Sequence, residues 1–385
     1  MSYGPPNGPR DGRTRAYPVP GPPQDQYQRP HQDQYQRQDD HQRQGGGYRQ
    51  PPPGGSGVAE PRRRRRWGFG KILLTILIVI VVLVAAIWIY LETAINRVEA
   101  LSDYAGRPAA GAGTNWLIVG SDSRAGLNSE DEERLATGDA KGQRTDTVIL
   151  LHIPDNSEKA TMVSLLRDSY VDIPGKGKNK LNAAYAFGGP KLLAQTVEKA
   201  TNLRLDHYIE IGFGGFAGIV DDVGGVEMCL DKPMKDPKAG IDLPAGCQTL
   251  NGANALGYVR TRATPSADLD RVVHQRQFVG ALMSKVTSFG TLINPFRLVP
   301  TIADVPDAIT LDEGDHVHNL PSLGFAMAGA GSGKTITTTV PFGGTKNVGS
   351  VGSVVVWNDA KAKTLFDALR NDTAVPDSVI VAPSG

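Results

Sequence analysis

The residues most able to do chemistry are aspartates and arginines placed at the ends of apolar runs. Asp122 closes Asn115-Trp116-Leu117-Ile118-Val119-Gly120-Ser121, and Asp146 opens a second run within Arg144-Thr145-Asp146-Thr147. Arg167 follows Ser164-Leu165-Leu166, Arg260 and Arg262 flank Thr261, and Asp268 precedes Arg271 and Gln275. Paired carboxylates suit a divalent cation that completes its shell with phosphate oxygens and water. Guanidinium groups match phosphate with two parallel hydrogen bonds. Together these types point to phosphoryl transfer on an anionic substrate.

Each signal has a plainer alternative. Asp122 can cap a turn and Asp146 can start a strand. A single arginine beside an apolar run is most simply a surface ion-pair partner, and the weight comes from Arg144, Arg167, Arg260, Arg262 and Arg271 sharing that setting. Arg260 and Arg262 point to one side on a strand and diverge on a helix. Arg271 and Gln275 share a face on a helix.

The elements that would position them are short apolar runs alternating with helical spacing. Trp116–Gly120 reads as a buried strand; Thr147–Ile153 and Ala160–Leu165, split by Pro154-Asp155-Asn156-Ser157, read as a hairpin. Lys191–Thr201 and Gly212–Val220 carry helical spacing, the second ended by Gly224-Gly225. Arg271–Ser288 reads as an amphipathic helix, with Val272, Val273, Phe278, Val279, Leu282 and Val286 on its apolar side. Strands mixed with helices predict an α/β domain with helices on both sheet faces. No composition break after residue 293 demands a further domain.

Upstream the composition changes sharply. Residues 1–66 are rich in Pro, Gln, Arg, Gly and Tyr, and Gln24–Arg29 is repeated as Gln32–Arg37. Such a segment buries too little apolar surface to offset its ordering entropy and is expected to be a disordered tail. Arg62–Arg66 then precede the apolar stretch Ile72–Leu91, long enough to cross a bilayer, with Trp88 and Tyr90 placed for an interfacial belt. A signal peptide would start nearer the N-terminus and have a shorter core. The expectation is a tail at 1–66, a retained transmembrane helix at 67–92, a stalk at 93–113 rich in Ala and Gly, and a catalytic domain at 114–385. The arginine run keeps the tail cytoplasmic and places the rest of the chain outside the cell membrane. Cys229 and Cys247 lie in the exported part, so one disulfide is expected. The net charge of +1 says little by itself, and no nucleic-acid partner is expected.

Two apparent sites are set aside. Ala328-Gly329-Ala330-Gly331-Ser332-Gly333-Lys334-Thr335 is similar to a phosphate-binding loop. A true one follows a strand and opens a helix, whereas here a helical run precedes and the β-branched Thr335–Val340 follow. It reads as a helix-to-strand turn. Gly120-Ser121-Asp122-Ser123 lacks the nucleophile-elbow pattern, and the histidines show no metal-ligand spacing.

With these motifs in order, the chain resembles the LytR-CpsA-Psr proteins, cell-wall glycopolymer ligases, strongly over about residues 113–290 and more weakly beyond. The tail and the exported cysteines are similar to actinobacterial members. The resemblance implies a three-layer α/β/α sandwich around a mixed sheet with a hydrophobic pocket. It implies transfer of a glycan phosphate from a polyprenyl diphosphate carrier to peptidoglycan, releasing polyprenyl phosphate, assisted by Mg²⁺ or Mn²⁺. It assigns Asp122 and Asp146 to the metal, and Arg144, Arg167, Arg260, Arg262 and Arg271 to the diphosphate. Gln275, Lys180 and Asn182 in Lys180-Leu181-Asn182-Ala183-Ala184-Tyr185 fall at substrate-binding positions, and Asp268 is considered as a base. Phe213 and Phe216 are expected to line the lipid pocket or, equally, to be ordinary core. Two departures stand out: Leu166 replaces the family's proline before Arg167, and residues 125–143 form a long acidic insertion. The alternatives are a polyprenyl-diphosphate pyrophosphatase, with water as acceptor, and a non-catalytic membrane-anchored regulator.

Overall fold

The structure is a computed structural model that describes residues 68–122, 135, 145–261 and 268–381, without the side chains of 146, 268–270 and 272. The tail, the arginine run, nearly all of the acidic insertion, Arg144 and Arg262 lie outside the described residues.

A continuous apolar helix, α1 (Phe69–Ala94), leads into the folded part with none of its residues buried. The strands that follow are β1 (Asn96–Val98), β2 (Thr114–Ser121), β3 (Thr145–Ile153), β4 (Thr161–Leu165), β5 (Tyr170–Ile173) and β6 (Gly177–Lys180). After helix α2 (Leu181–Thr201) come β7 (His207–Gly212), α3 (Phe213–Asp222) and the strands β8 (Val226–Leu230), β9 (Met234–Asp236), β10 (Ile241–Leu243) and β11 (Gly246–Leu250). Helices α4 (Gly252–Arg260), α5 (Asp268–Val286), α6 (Phe289–Leu292) and α7 (Pro295–Ala308) lead to β12 (Ile309–Asp312). The chain ends with α8 (Leu320–Gly331), β13 (Ile336–Thr339), the hairpin β14 (Phe342–Val348) and β15 (Gly352–Trp357), and α9 (Asp359–Arg370).

The central sheet is mixed, in the order β1-β12-β7-β2-β3-β4-β13. Alternate residues of each strand face opposite sides, and the two cores follow that alternation. Leu117, Val119, Val148, Leu150, Val163 and Leu165 pack with Leu181, Leu193 and Val197 of α2 and Leu365 and Leu369 of α9. Trp116, Ile118, Ile149, Leu151 and Met162 pack on the other side with Val279 and Met283 of α5 and Leu323 and Met327 of α8. This is the expected three-layer sandwich. A smaller core joins α3, α4 and α5 to the β8–β11 region, where Cys229 and Cys247 face each other across the ladder and form a disulfide.

The β2, β3–β4 and α5 expectations match closely, and the Gly-rich segment before β13 is the helix-to-strand turn anticipated. Its amides are used internally: Ser332, Lys334 and Thr335 all donate to the Gly329 carbonyl. Two local expectations differ. The helix read from Lys191 starts at Leu181; Gly188, Gly189 (φ 64°) and Pro190 kink it and hide the periodicity upstream. The stretch expected to be a stalk enters the fold at once, because β1 pairs in parallel with β12, Ala100 is buried, and Arg107 donates to Glu198 at 3.0 Å. Of the two settings left open for Arg260, strand or helix, the structure has the helix, with Arg260 in its last turn.

Candidate active site

The sheet register brings the aspartates to one rim. Strands β2 and β3 are antiparallel, with Ser121 opposite Thr145 across a bulge, so Asp122 and Asp146 belong to adjacent strand ends. On the other side of β3, Val148 pairs with Leu165. Continuing that register past the end of β4 brings Arg167 level with Asp146. Ser121 also pairs in parallel with Gly212, the last residue of β7, and α3 begins at the next residue, Phe213.

Two helices start at this rim. Leu181 and Asn182, at the start of α2, donate backbone N–H groups to the carbonyls of Ser169 and Arg167, locking α2 against the loop after β4. Neither α2 nor α3 has a side-chain N-cap, so their first turns add positive potential to that of the arginines. Lys180 stands at the α2 N-cap and pairs with Asp168 at 2.9 Å, while Arg167 Nε lies 3.5 Å from the same carboxylate. Asp168 thus holds both cations in place, a role its position next to Arg167 could have suggested.

Among the described residues, the other candidate cations lie on α4 and α5. Arg260 stacks over the Phe213 ring at 5.1 Å and donates to the Leu135 carbonyl at 3.1 Å. This joins the end of α4 to the rim at the start of α3. Gln275 on α5 donates to the Val259 carbonyl at 3.0 Å, one residue before Arg260, and is buried. Thr261 donates to Asp236 at 2.8 Å, fixing the point where α4 ends. Arg271 lies on the same α5 face as Gln275 and is buried. Phe216 packs on Phe278 at 5.4 Å and belongs to the α3–α4–α5 core, whereas Phe213 serves as the platform for Arg260. Asp268 opens α5, with its side chain outside the described residues.

A buried acid on the strand next to β2 is absent from the residues singled out from the sequence. Glu210, on β7 next to Val119 of β2, accepts hydrogen bonds from Tyr185 at 2.9 Å and Tyr208 at 2.8 Å. Burial, Glu210 and then the Asp122 charge push the Tyr185 phenol well above its ordinary range, so it stays protonated and donates. The signal was a lone acid at an alternating position of His207-Tyr208-Ile209-Glu210-Ile211. Among the described residues no group of three His, Cys, Asp or Glu side chains forms a metal cage.

The LytR_cpsA_psr family model matches residues 92–370. The chain belongs to the LytR_cpsA_psr family. It is 53% identical over 289 residues to the probable cell wall biosynthesis protein LcpB of Corynebacterium glutamicum, a match covering 75% of this chain and 68% of that one. A polyisoprenyl-teichoic acid–peptidoglycan teichoic acid transferase, TagU of Enterococcus faecalis, is 36% identical over 181 residues, covering 46% of this chain and 57% of its own. The solved LytR-Csp2A-Psr enzyme from Actinomyces oris shares the fold with a TM-score of 0.54 at 24% identity, over 72% of this chain and 96% of that one. The chain is therefore a relative of cell-wall biosynthesis proteins and teichoic acid transferases.

Proposed function

We propose that the chain is a phosphotransferase moving a glycopolymer from a polyprenyl diphosphate carrier onto peptidoglycan. The observation that carries this is the register placing Asp122 and Asp146 at one rim, with Arg167 level with Asp146 and Arg260 stacked on the residue that leaves the neighbouring strand. Two carboxylates with Arg167 and Arg260 near them suit a metal-assisted diphosphate site. Its family membership and the named activity of TagU support the same assignment.

Arg144, Arg167, Arg260, Arg262 and Arg271 bind and orient the diphosphate, with Lys180 and Asn182 beside them. A peptidoglycan hydroxyl attacks the phosphorus attached to the glycan. The bond from that phosphorus to the bridging oxygen breaks, and polyprenyl phosphate leaves with the electron pair. Asp268, three residues before Arg271, is the acid assigned to take the hydroxyl proton. The arginines stabilise charge as it develops on the transferring phosphate. Asp122 and Asp146 would hold Mg²⁺ or Mn²⁺, a hard cation that takes one or two carboxylates together with phosphate oxygens. When bound, such an ion supplies Lewis-acid neutralisation of the diphosphate. The apolar α1 fits a single-pass anchor in the cell membrane, with the arginine run on the cytoplasmic side and the domain outside.

The test is an Arg260→Lys substitution in the full chain. It keeps the charge but removes the planar stack on Phe213 and the forked donor pair. Transfer should fall by about a hundredfold, and full activity in this variant would contradict the proposed site.

A further inference from the structure

Outside α1, exposed apolar side chains gather at the tip formed by α6 and the first two turns of α7. Phe289 is 76% exposed, Ile293 62%, Phe296 89% and Val299 63%. The run Phe289-Gly290-Thr291-Leu292-Ile293-Asn294-Pro295-Phe296 contains no charged residue, and Lys285 and Arg297 flank it. A water-exposed tip of this kind costs solubility with no return within the fold, so it marks a surface built to be covered.

The position of the tip identifies what covers it. Tyr90 of α1 donates to the Ala303 carbonyl of α7 at 3.3 Å, and Asn96 donates to the Pro306 carbonyl at 3.3 Å. The contacts advance together along both segments, so α7 runs in the same sense as α1 and its N-terminal end points back toward the apolar part of α1. Phe296 precedes Ala303 by two helical turns, about 10 Å along the axis. The 26 residues of α1 span about 39 Å, against about 30 Å for a hydrocarbon core. The last turns of α1, carrying Trp88 and Tyr90, therefore stand at the interface, and the tip lies on the membrane side of Tyr90.

We propose that the α6–α7 tip inserts into the outer leaflet of the same bilayer that α1 crosses, as a second, monotopic contact. Phe289, Ile293, Phe296 and Val299 enter the acyl boundary, and Lys285 and Arg297 reach the phosphate headgroups. The other end of α7 reaches the site. Gly215 in the first turn of α3 lies so close to Ala308 that an added Cβ would fall 2.0 Å from the Ala308 Cα. Phe213, the platform for Arg260, is two residues away. The 14-residue α7 is thus a strut of about 21 Å between lipid and active site. It fixes the height at which a diphosphate on a membrane-bound prenyl chain meets the arginines. The inference rests on the membrane-anchor reading of α1.

The experiment uses the full chain in vesicles of phosphatidylglycerol and phosphatidylethanolamine doped with a phospholipid bearing a diazirine near the top of one acyl chain. After irradiation, adducts are mapped by proteolysis and mass spectrometry. Adducts on both α1 and residues 289–299 are expected, and Ile293→Glu with Phe296→Glu should abolish the second set while keeping the first. Adducts on α1 alone in the unsubstituted chain would overturn the proposed tip and leave the anchor intact. Adducts on neither would overturn the anchor as well.

Discussion

Replacing Arg276 with methionine should make the protein more stable. Arg276 lies on α5 next to Gln275 but turns away from the arginine cluster, and it is only 5% exposed. It borders a cavity of about 540 Å³ between α5, the end of α8 and the disulfide ladder, and its Nη1 has no hydrogen-bond partner. Burial without a counter-charge pulls the guanidinium down from its usual range to about 10. At about 1.4 kcal/mol per pH unit, that displacement corresponds to roughly 3 kcal/mol of lost solvation for the charged form. The cavity admits water to part of the group, so about half of this, 1–2 kcal/mol, is the net cost expected in the folded state. Arg276→Met keeps the apolar stem and removes the charge. For a domain of this size the melting temperature should rise by about 2–8 °C, measured by circular dichroism on the full chain in detergent. A fall of similar size would refute the reasoning, because it would mean that the guanidinium is satisfied in the fold and contributes to it.

Other expectations follow from packing and charge. Gly215→Ala should destabilise the fold by about 1–3 kcal/mol, since the new methyl group would meet the Ala308 backbone; an unchanged melting temperature would contradict the close α3–α7 crossing. Asp222, at the end of α3, has its carboxyl pushed up to about 6 by burial, the Asp304 carboxylate and Asp221. A raised folded pKa favours the protonated form, so this contribution to stability is full below the ordinary carboxylate range and is lost as pH rises through about 6. Asp304→Asn should flatten that decline in a pH series of thermal melts. Reducing the Cys229–Cys247 disulfide, which closes a loop of 18 positions, should cost about 3 kcal/mol, read from denaturant midpoints with and without reductant.

Much of the sheet was legible because its strands are continuous apolar runs: Val148–Leu151 and Met162–Leu165 are buried on both faces and could hardly be anything else. The amphipathic α5 was legible for the same reason at a different period. Helix α4 was not. Gly252-Ala253-Asn254-Ala255-Leu256-Gly257-Tyr258-Val259-Arg260 has two glycines and weak local preference, and what forms it is tertiary: an Asn251 cap and the Asp221 carboxylate accepting from the Gly252 amide at 2.7 Å. The β1–β12 and β4–β13 pairings join segments far apart in the chain, which no local pattern announces. The candidate aspartates and arginines stand out by type and by family likeness, and the ladder register brings Asp122, Asp146 and Arg167 to neighbouring strand ends. Asp168 and Glu210 were passed over because one stands beside a more conspicuous arginine and the other is a single acid in an apolar strand. Arg276 looks like its neighbours in the sequence, and only the facing of α5 separates it from the cluster.

The most direct test of the central claim follows the phosphorus. The full chain in detergent is incubated with Mg²⁺, a polyprenyl diphosphate-linked glycan and a peptidoglycan oligomer, and both products are weighed by mass spectrometry. The account predicts polyprenyl phosphate in equal amount to an acceptor gaining the glycan and one phosphate, with both lost in Asp146→Ala. Polyprenyl phosphate with free glycan phosphate and an unmodified acceptor would instead identify a pyrophosphatase. No release, with lipid binding intact, would contradict catalysis altogether.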